Sequence, residues 1–372
     1  MLSGIFSDVF KKFYEREEII RTMVISIISR EHCLLLGPPG TAKSALVEAI
    51  ASAAGLGYFR TLLTRFTTPD EVLGVVDINL IEKGEYRRIT KNMLPDNEIA
   101  FIDEIFKASP AILNALLSIM QERKYRNGTQ MENAKTVTIF GASNELPDGE
   151  EEDILQAFYD RFLFRLEVEP IKSKDNFILM LQEDEESLNN NGVQKVNWGK
   201  IWQEADNVKI DSSIYDAIYE IKKQITDFYI SDRRWKKTIK AVKASAVYEG
   251  RNNAEVDDLM ILKHIIYEPR YKESKKTIED IISRIIDPYN EEIKEIIKTL
   301  KKIQNDVEKD SGENPNYATE LVLKIKDIKN EIKQIEESNR IRNKKLIKDA
   351  ADLSNNLLKG IMEKYFGIKE LV

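Results

Sequence analysis

An apolar run, CLLL, leads into GPPGTAKS at residues 37–44, and a helical pattern follows. Gly37 and Gly40 let the chain turn sharply, Pro38 and Pro39 stiffen it, and Thr41 and Ala42 carry it on to Lys43 and Ser44. Backbone N–H groups at such a helix start can cradle the oxygens of a polyphosphate. A lysine there meets the β- and γ-phosphates, and a serine hydroxyl ligates Mg²⁺. The usual pattern, G-x-x-x-x-G-K-[ST], has a second glycine where this chain has Ala42. A plain turn with a solvated lysine is the competing reading, so the rest of the chain has to decide.

A second constellation ends the apolar run IAFIDE at 99–104. An acid at the end of a buried strand can hold Mg²⁺ through water, and the next acid can polarise an attacking water. That assigns the metal to Asp103, with Ser44, and the water to Glu104. A third burst ends in GASNELP, whose Asn144 could orient the water or read the γ-phosphate. Arg161, in LQAFYDRFLFRLEV, follows an acid on a helical stretch; without context it reads as a surface ion pair. Arg233 and Arg234 open a helix, where a cation opposes the helix dipole, a cost that suggests phosphate binding.

The elements that must position these residues are visible in the pattern. CLLLG, EIAFIDE and TVTIFGASN lack polar alternation and suit strands buried on both faces. Helical patterns lie between them, at 45–54 and at 110–123, so the first part is an α/β domain with a parallel sheet. Two stretches look like hairpins: 75–89, with two extended runs around Lys83-Gly84, and the segment around Asn127-Gly128. From about 172 the strand signal disappears, and a helix is expected after Ser231 or Asp232 as N-cap. Asp287 and Pro288 read as the cap and first residue of another helix. Beyond it Ile293, Ile296, Leu300, Ile303 and Val307 form one apolar seam, and Leu321, Ile325, Ile328, Ile332 and Ile335 a second. Two seams joined by a breaker predict an antiparallel helical hairpin, with 346–365 as a further amphipathic helix. The domains are expected at 1–171, 172–274 and 275–372.

Composition narrows the function. The 372 residues are 42% hydrophobic and carry a net charge of −7, with a pI near 5.4. That argues against a protein that coats nucleic acid. A single cysteine, Cys33, forbids an internal disulfide and fits a reducing cytosol. His32 and His264 have no cysteine partners for a zinc cage. No run reaches the ~20 apolar residues of a membrane span, and the N-terminus lacks a signal-peptide order. The chain reads as soluble and cytoplasmic.

Taken in this order and spacing, the motifs resemble those of AAA+ ATPases. GPPGTAKS is similar to the Walker A form of the MoxR family, in which alanine before the lysine is usual. LPDNEIAFIDEIFKASPAILNALLSIMQERKYRNG (94–128), GASNELP, AFYDRFLFRL and SDRRWKKTIKAVKASAVYEGR resemble the RavA branch, and the likeness covers roughly residues 1–270. The resemblance implies a RecA-like αβα core, an α-helical lid, and a hexameric ring that binds ATP with Mg²⁺. It implies that the 75–89 stretch is the helix-2 insert and the second hairpin the presensor one. Residue by residue, Lys43 and Ser44 become Walker A, Asp103 and Glu104 Walker B, and Asn144 sensor 1. Arg161 becomes the arginine finger and Arg233 sensor 2, with Arg234 as a stand-in because Asp232 replaces the usual proline. RavA-type proteins have a small β-rich domain within their C-terminal helices. No stretch here supplies one.

The resemblance further implies a ring that remodels protein partners, with a von Willebrand factor A domain protein as the expected one. A DNA motor would need basic hairpins, but Lys83, Arg87 and Arg88 sit beside Glu82 and Glu85. An ATP-dependent scaffold is the remaining alternative, against which every catalytic position is filled.

Overall fold

The computed structural model describes residues 2–147, 152–182, 196–271, 274–310, 314–337 and 344–368. The chain divides into two compact units, Met1–Asp216 with Ile225–Ile278, and Ala217–Gln224 with Glu279–Val372.

The first unit is built on a five-stranded, all-parallel sheet. Its strands are β1 (His32–Leu36), β2 (Tyr58–Leu62), β3 (Ile99–Asp103), β6 (Thr138–Ser143) and β7 (Phe162–Glu167), while β4 (Lys124–Asn127) and β5 (Gln130–Asn133) form a separate hairpin. The three apolar bursts become β1, β3 and β6, side by side in the order β2-β3-β6-β1-β7. Successive side chains alternate across the sheet. Leu34, Ala100, Ile102 and Ile139 thus share a core with Ile112, Leu113, Leu116 and Ile119 of the helix Pro110–Glu122. Before the sheet comes α1 (Glu17–Ser29), and α2 (Lys43–Ala54) follows β1. The apolar MVISIIS therefore makes about two buried turns of α1. No helix among the described residues is long and apolar enough to cross a membrane.

Two strands escape the periodicity. In β2, at one edge of the sheet, Phe59 alone is buried, and β7, buried at the other edge, follows the helix Glu152–Tyr159 with a two-residue break. The 75–89 stretch also departs from two extended runs. Its base is paired, with a Val76–Arg88 bridge and the Asp77 N–H on the Arg87 carbonyl at 2.8 Å. Its first arm instead turns into a short helix, Ile78–Ile81, because the Asp77 carboxylate caps the Asn79 N–H. The second hairpin forms as expected, around Gly128.

The helices after the sheet include α3 (Trp198–Asn207), α4 (Ser212–Gln224) and α5 (Asp232–Tyr248), the last capped by the Ser231 hydroxyl on the Arg234 N–H. The helix expected at Asp287-Pro288 starts later. The Asp287 N–H still bonds the Ser283 carbonyl at 2.9 Å, so Asp287 closes α6 (Ser274–Ile286), and α7 (Asn290–Lys309) begins after the turn. With α8 (Pro315–Glu337) and α9 (Lys344–Phe366) it forms the core of the second unit, and both predicted seams are buried there. The seams meet chiefly through α9, which packs on both partners. Lys364 Nζ donates to the Val307 and Asp310 carbonyls at 2.6 and 2.7 Å, so α7 and α9 run the same way and α8 returns. The hairpin is thus two sides of a three-helix bundle.

Candidate active site

In an open parallel sheet, ligands bind beyond the carboxyl ends of the strands where the order reverses. Here that point is the end of β1, which lies between β6 and β7 although β2 is at the far edge. The loop from β1 to α2 begins at Gly37, whose N–H bonds the Ser143 carbonyl at 3.2 Å. A Cβ on Gly37 would stand 2.2 Å from the Val168 carbonyl oxygen, so glycine alone allows this approach. Pro38, Pro39 and Gly40 are exposed. Ala42 takes a left-handed φ of 61° and directly precedes α2. Among the described residues, the N–H groups of Gly40, Thr41 and Ala42 have no protein acceptor. Unmet donors at a helix start form an anion cradle.

Lys43 is 7% exposed and folds back over this loop, its Nζ 2.7 Å from the Gly37 carbonyl and 2.8 Å from that of Pro38. Burial pushes the ammonium below the ordinary lysine range, and the carboxylates of Asp103 and Glu104 pull it back up. Nζ also lies 3.4 Å from Asn144 Oδ1, at the tip of β6. The same amide donates through Nδ2 to Glu104 Oε1 at 3.2 Å, at the tip of β3. One asparagine side chain therefore joins the loop lysine to the second acid across three strand ends. Asp103 Oδ1 accepts the Glu104 N–H at 3.0 Å. Glu104 takes a left-handed φ of 51° and opens the 3-10 turn Ile105–Lys107, which brings Lys107 Nζ to 3.3 Å from Glu104 Oε2. Lys107 was not among the residues expected at the site. Its E-x-x-K spacing is the signal, legible only once the segment is known to be a 3-10 turn.

The set fits the group it would hold. Ser44 is half-buried at the helix start, and it and Asp103 offer the hard oxygen donors that Mg²⁺ takes.

The arginines lie elsewhere. Arg161 sits between its helix and β7, not within a helix, donating to the Ala157 carbonyl and to Gln121 Oε1, the latter at 3.3 Å. Burial, then the nearby Arg233, lower its pKa, and Asp160 opposes them. Arg234 is 4% exposed, and its Nη2 stands 3.2 Å from Asp160 Oδ1 as an ion pair without hydrogen-bond alignment. The Ser231 hydroxyl donates to the same carboxylate at 3.1 Å. Arg233 is exposed. Among the described residues neither Arg161 nor Arg233 bonds to Lys43, Asn144 or Glu104. A cluster around the buried Arg165 and Tyr159 ties the segment after α5 to the sheet. Arg165 of β7 lies 2.6 Å from Glu268 Oε2 and stacks 3.7 Å over the Tyr159 ring, and Arg270 bonds the Pro147 carbonyl at 3.1 Å.

The chain is similar to known proteins over both the sheet and the helices that follow it. Residues 1–197 match the family described as the MoxR domain in the MoxR-vWA-beta-propeller ternary systems, and residues 213–282 match a AAA lid domain. An uncharacterized protein of Methanocaldococcus jannaschii is 39% identical over 366 residues, 94% of each chain. The chaperone MoxR1 of Mycobacterium tuberculosis is 26% identical over 154 residues, 41% of this chain and 40% of that one. A crystal structure of a candidate ATPase from Cytophaga hutchinsonii superposes with a TM-score of 0.62 at 20% identity, over 76% of this chain and 93% of that one. Sheet, loop and lid define a AAA+ ATPase domain. The chain belongs to the MoxR family within that class.

Proposed function

We propose that the chain hydrolyses ATP with Mg²⁺, acting within a hexameric ring that remodels a protein partner. The observation that carries this reading is the Asn144 amide, which bridges Lys43 and Glu104 over the loop whose N–H groups lack acceptors. In it, residues 40–44 cradle the phosphates, Lys43 meets the outer ones, and Ser44 and Asp103 hold the metal. The metal supplies charge neutralisation to the phosphates. Glu104 polarises the attacking water, and Asn144 orients that water and registers the phosphate. Arg161 reaches the ATP of a neighbouring copy, and Arg233 is the sensor of the lid. The burial of Arg234 against Asp160 favours Arg233 over Arg234 for that role. Residues 1–171 are the nucleotide-binding domain, 172–274 the lid and 275–372 a helical extension, in the cytoplasm. The motifs at 94–128 support a position nearest the RavA branch.

A von Willebrand factor A domain protein is the expected partner, supported by the ternary systems named for the matching family. The DNA-motor alternative loses ground because Arg87, Arg88 and Lys135 pair with Glu132, Asp70 and Asp96. The test is purification of Glu104→Gln from its native cells with ATP and Mg²⁺. Hydrolysis should fall at least a hundredfold while ATP binding survives, and mass spectrometry should find a von Willebrand factor A domain protein on the trapped ring. Nuclease-sensitive nucleic acid with replication proteins would instead support the motor. Unchanged turnover would remove Glu104 from the mechanism.

A further inference from the structure

Glu104 is held at both oxygens of its carboxylate, by Asn144 Nδ2 at Oε1 and by the Lys107 ammonium at Oε2. The backbone builds the second contact. The Lys107 N–H closes the 3-10 turn on the Glu104 carbonyl at 2.8 Å, and in such a turn residues three apart lie over one another. The two donors answer to different groups. Asn144 also accepts from Lys43, so a phosphate that draws Lys43 toward itself alters the Asn144 contact. Lys107 has no such link. Its side chain is 59% exposed, and among the described residues its ammonium pairs with Glu104 alone.

We propose that Lys107 is a positioning residue that acts through Glu104, restraining Oε2 and slowing the turn of the carboxylate toward the attacking water. With Lys107 removed, Glu104 is tethered only at Oε1, through a group that follows Lys43. The inference rests on the ATPase reading, and its test keeps the two apart.

Steady-state ATPase kinetics are measured on the full chain for the wild type, Lys107→Met, Lys107→Arg and Glu104→Gln, with binding of a fluorescent ATP analogue and melting curves in parallel. Lys107→Met is expected to raise kcat about two- to fivefold with KM unchanged, the scale set by one exposed ion pair. Lys107→Arg, which keeps the cation, is expected to restore the slower rate. With Glu104→Gln silent, three results overturn the proposal: a Lys107→Met kcat at or below wild type, an altered KM, or an equal rise in Lys107→Arg. Absent turnover in the wild type, or a Glu104→Gln rate equal to it, overturns the ATPase reading itself, and the proposal with it.

Discussion

Gly37 and Ala42 stand at opposite ends of one loop, and the same backbone argument gives them opposite predictions. A methyl on Gly37 meets the Val168 carbonyl, a backbone atom that cannot step aside, and φ there is 151°. Gly37→Ala should cost about 1–3 kcal/mol in denaturant unfolding. Ala42 already has its methyl at a left-handed φ, a strain of about 1–2 kcal/mol. Ala42→Gly releases that strain but adds freedom to the unfolded chain, an offset of roughly 0.4–1 kcal/mol. It should stabilise by up to about 1.6 kcal/mol, and a clear loss of stability would show that the added freedom outweighs the strain. The loop's residue types were legible in the sequence because each has a steric or ionic use. That Asn144 bonds both Lys43 and Glu104 was not, since the three follow separate strands and Lys43 opens a helix.

Elements meet through ion pairs whose strength depends on pH. In the first turn of α1, Glu18 faces Lys263 and His264 from the 3-10 segment Val256–His264. The His264 hydrogen bond, aided by Lys263 and opposed by burial, holds the carboxyl down at about 2. A carboxylate whose folded pKa lies below its unfolded one stabilises the fold above the unfolded value, near 4.5, and loses that contribution as pH falls toward 2. Because Glu18 is 57% exposed, screening limits the effect to roughly 1 kcal/mol. Thermal midpoints from pH 5 to pH 2 should fall further for the wild type than for Glu18→Gln; parallel curves would contradict the assignment. Helices were legible wherever one apolar face repeats, as in the two seams. The edge strand β2 and the helical arm at 78–81 were not. Only Phe59 of β2 is buried, and one capping aspartate decided the arm.

Across the whole molecule, the one cysteine reports on the sheet. Cys33 is fully buried in β1, and burial pushes its thiol far above the ordinary range. Labelling at neutral pH should therefore require opening of the sheet. It should slow when ATP and Mg²⁺ are added to the wild type but not to Lys43→Ala, because a ligand bound only by the folded state lowers the open population. Labelling at the rate of a free thiol would mean that β1 opens locally. Ala217–Gln224 groups with the C-terminal helices although its neighbours in the chain belong to the first unit. By itself, the sequence determined the α/β fold with its buried strands and the heptad-like seams, because these follow from hydrophobic periodicity, while the AAA+ class came from the resemblance of its motifs. Only the tertiary structure decided which side chains touch: the Asn144 bridge, Lys107 on Glu104, Arg234 rather than Arg233 buried against Asp160, and α9 between the two seams. Such contacts depend on strand order and on the exact turn of each loop end, and neither leaves a periodic trace in the chain.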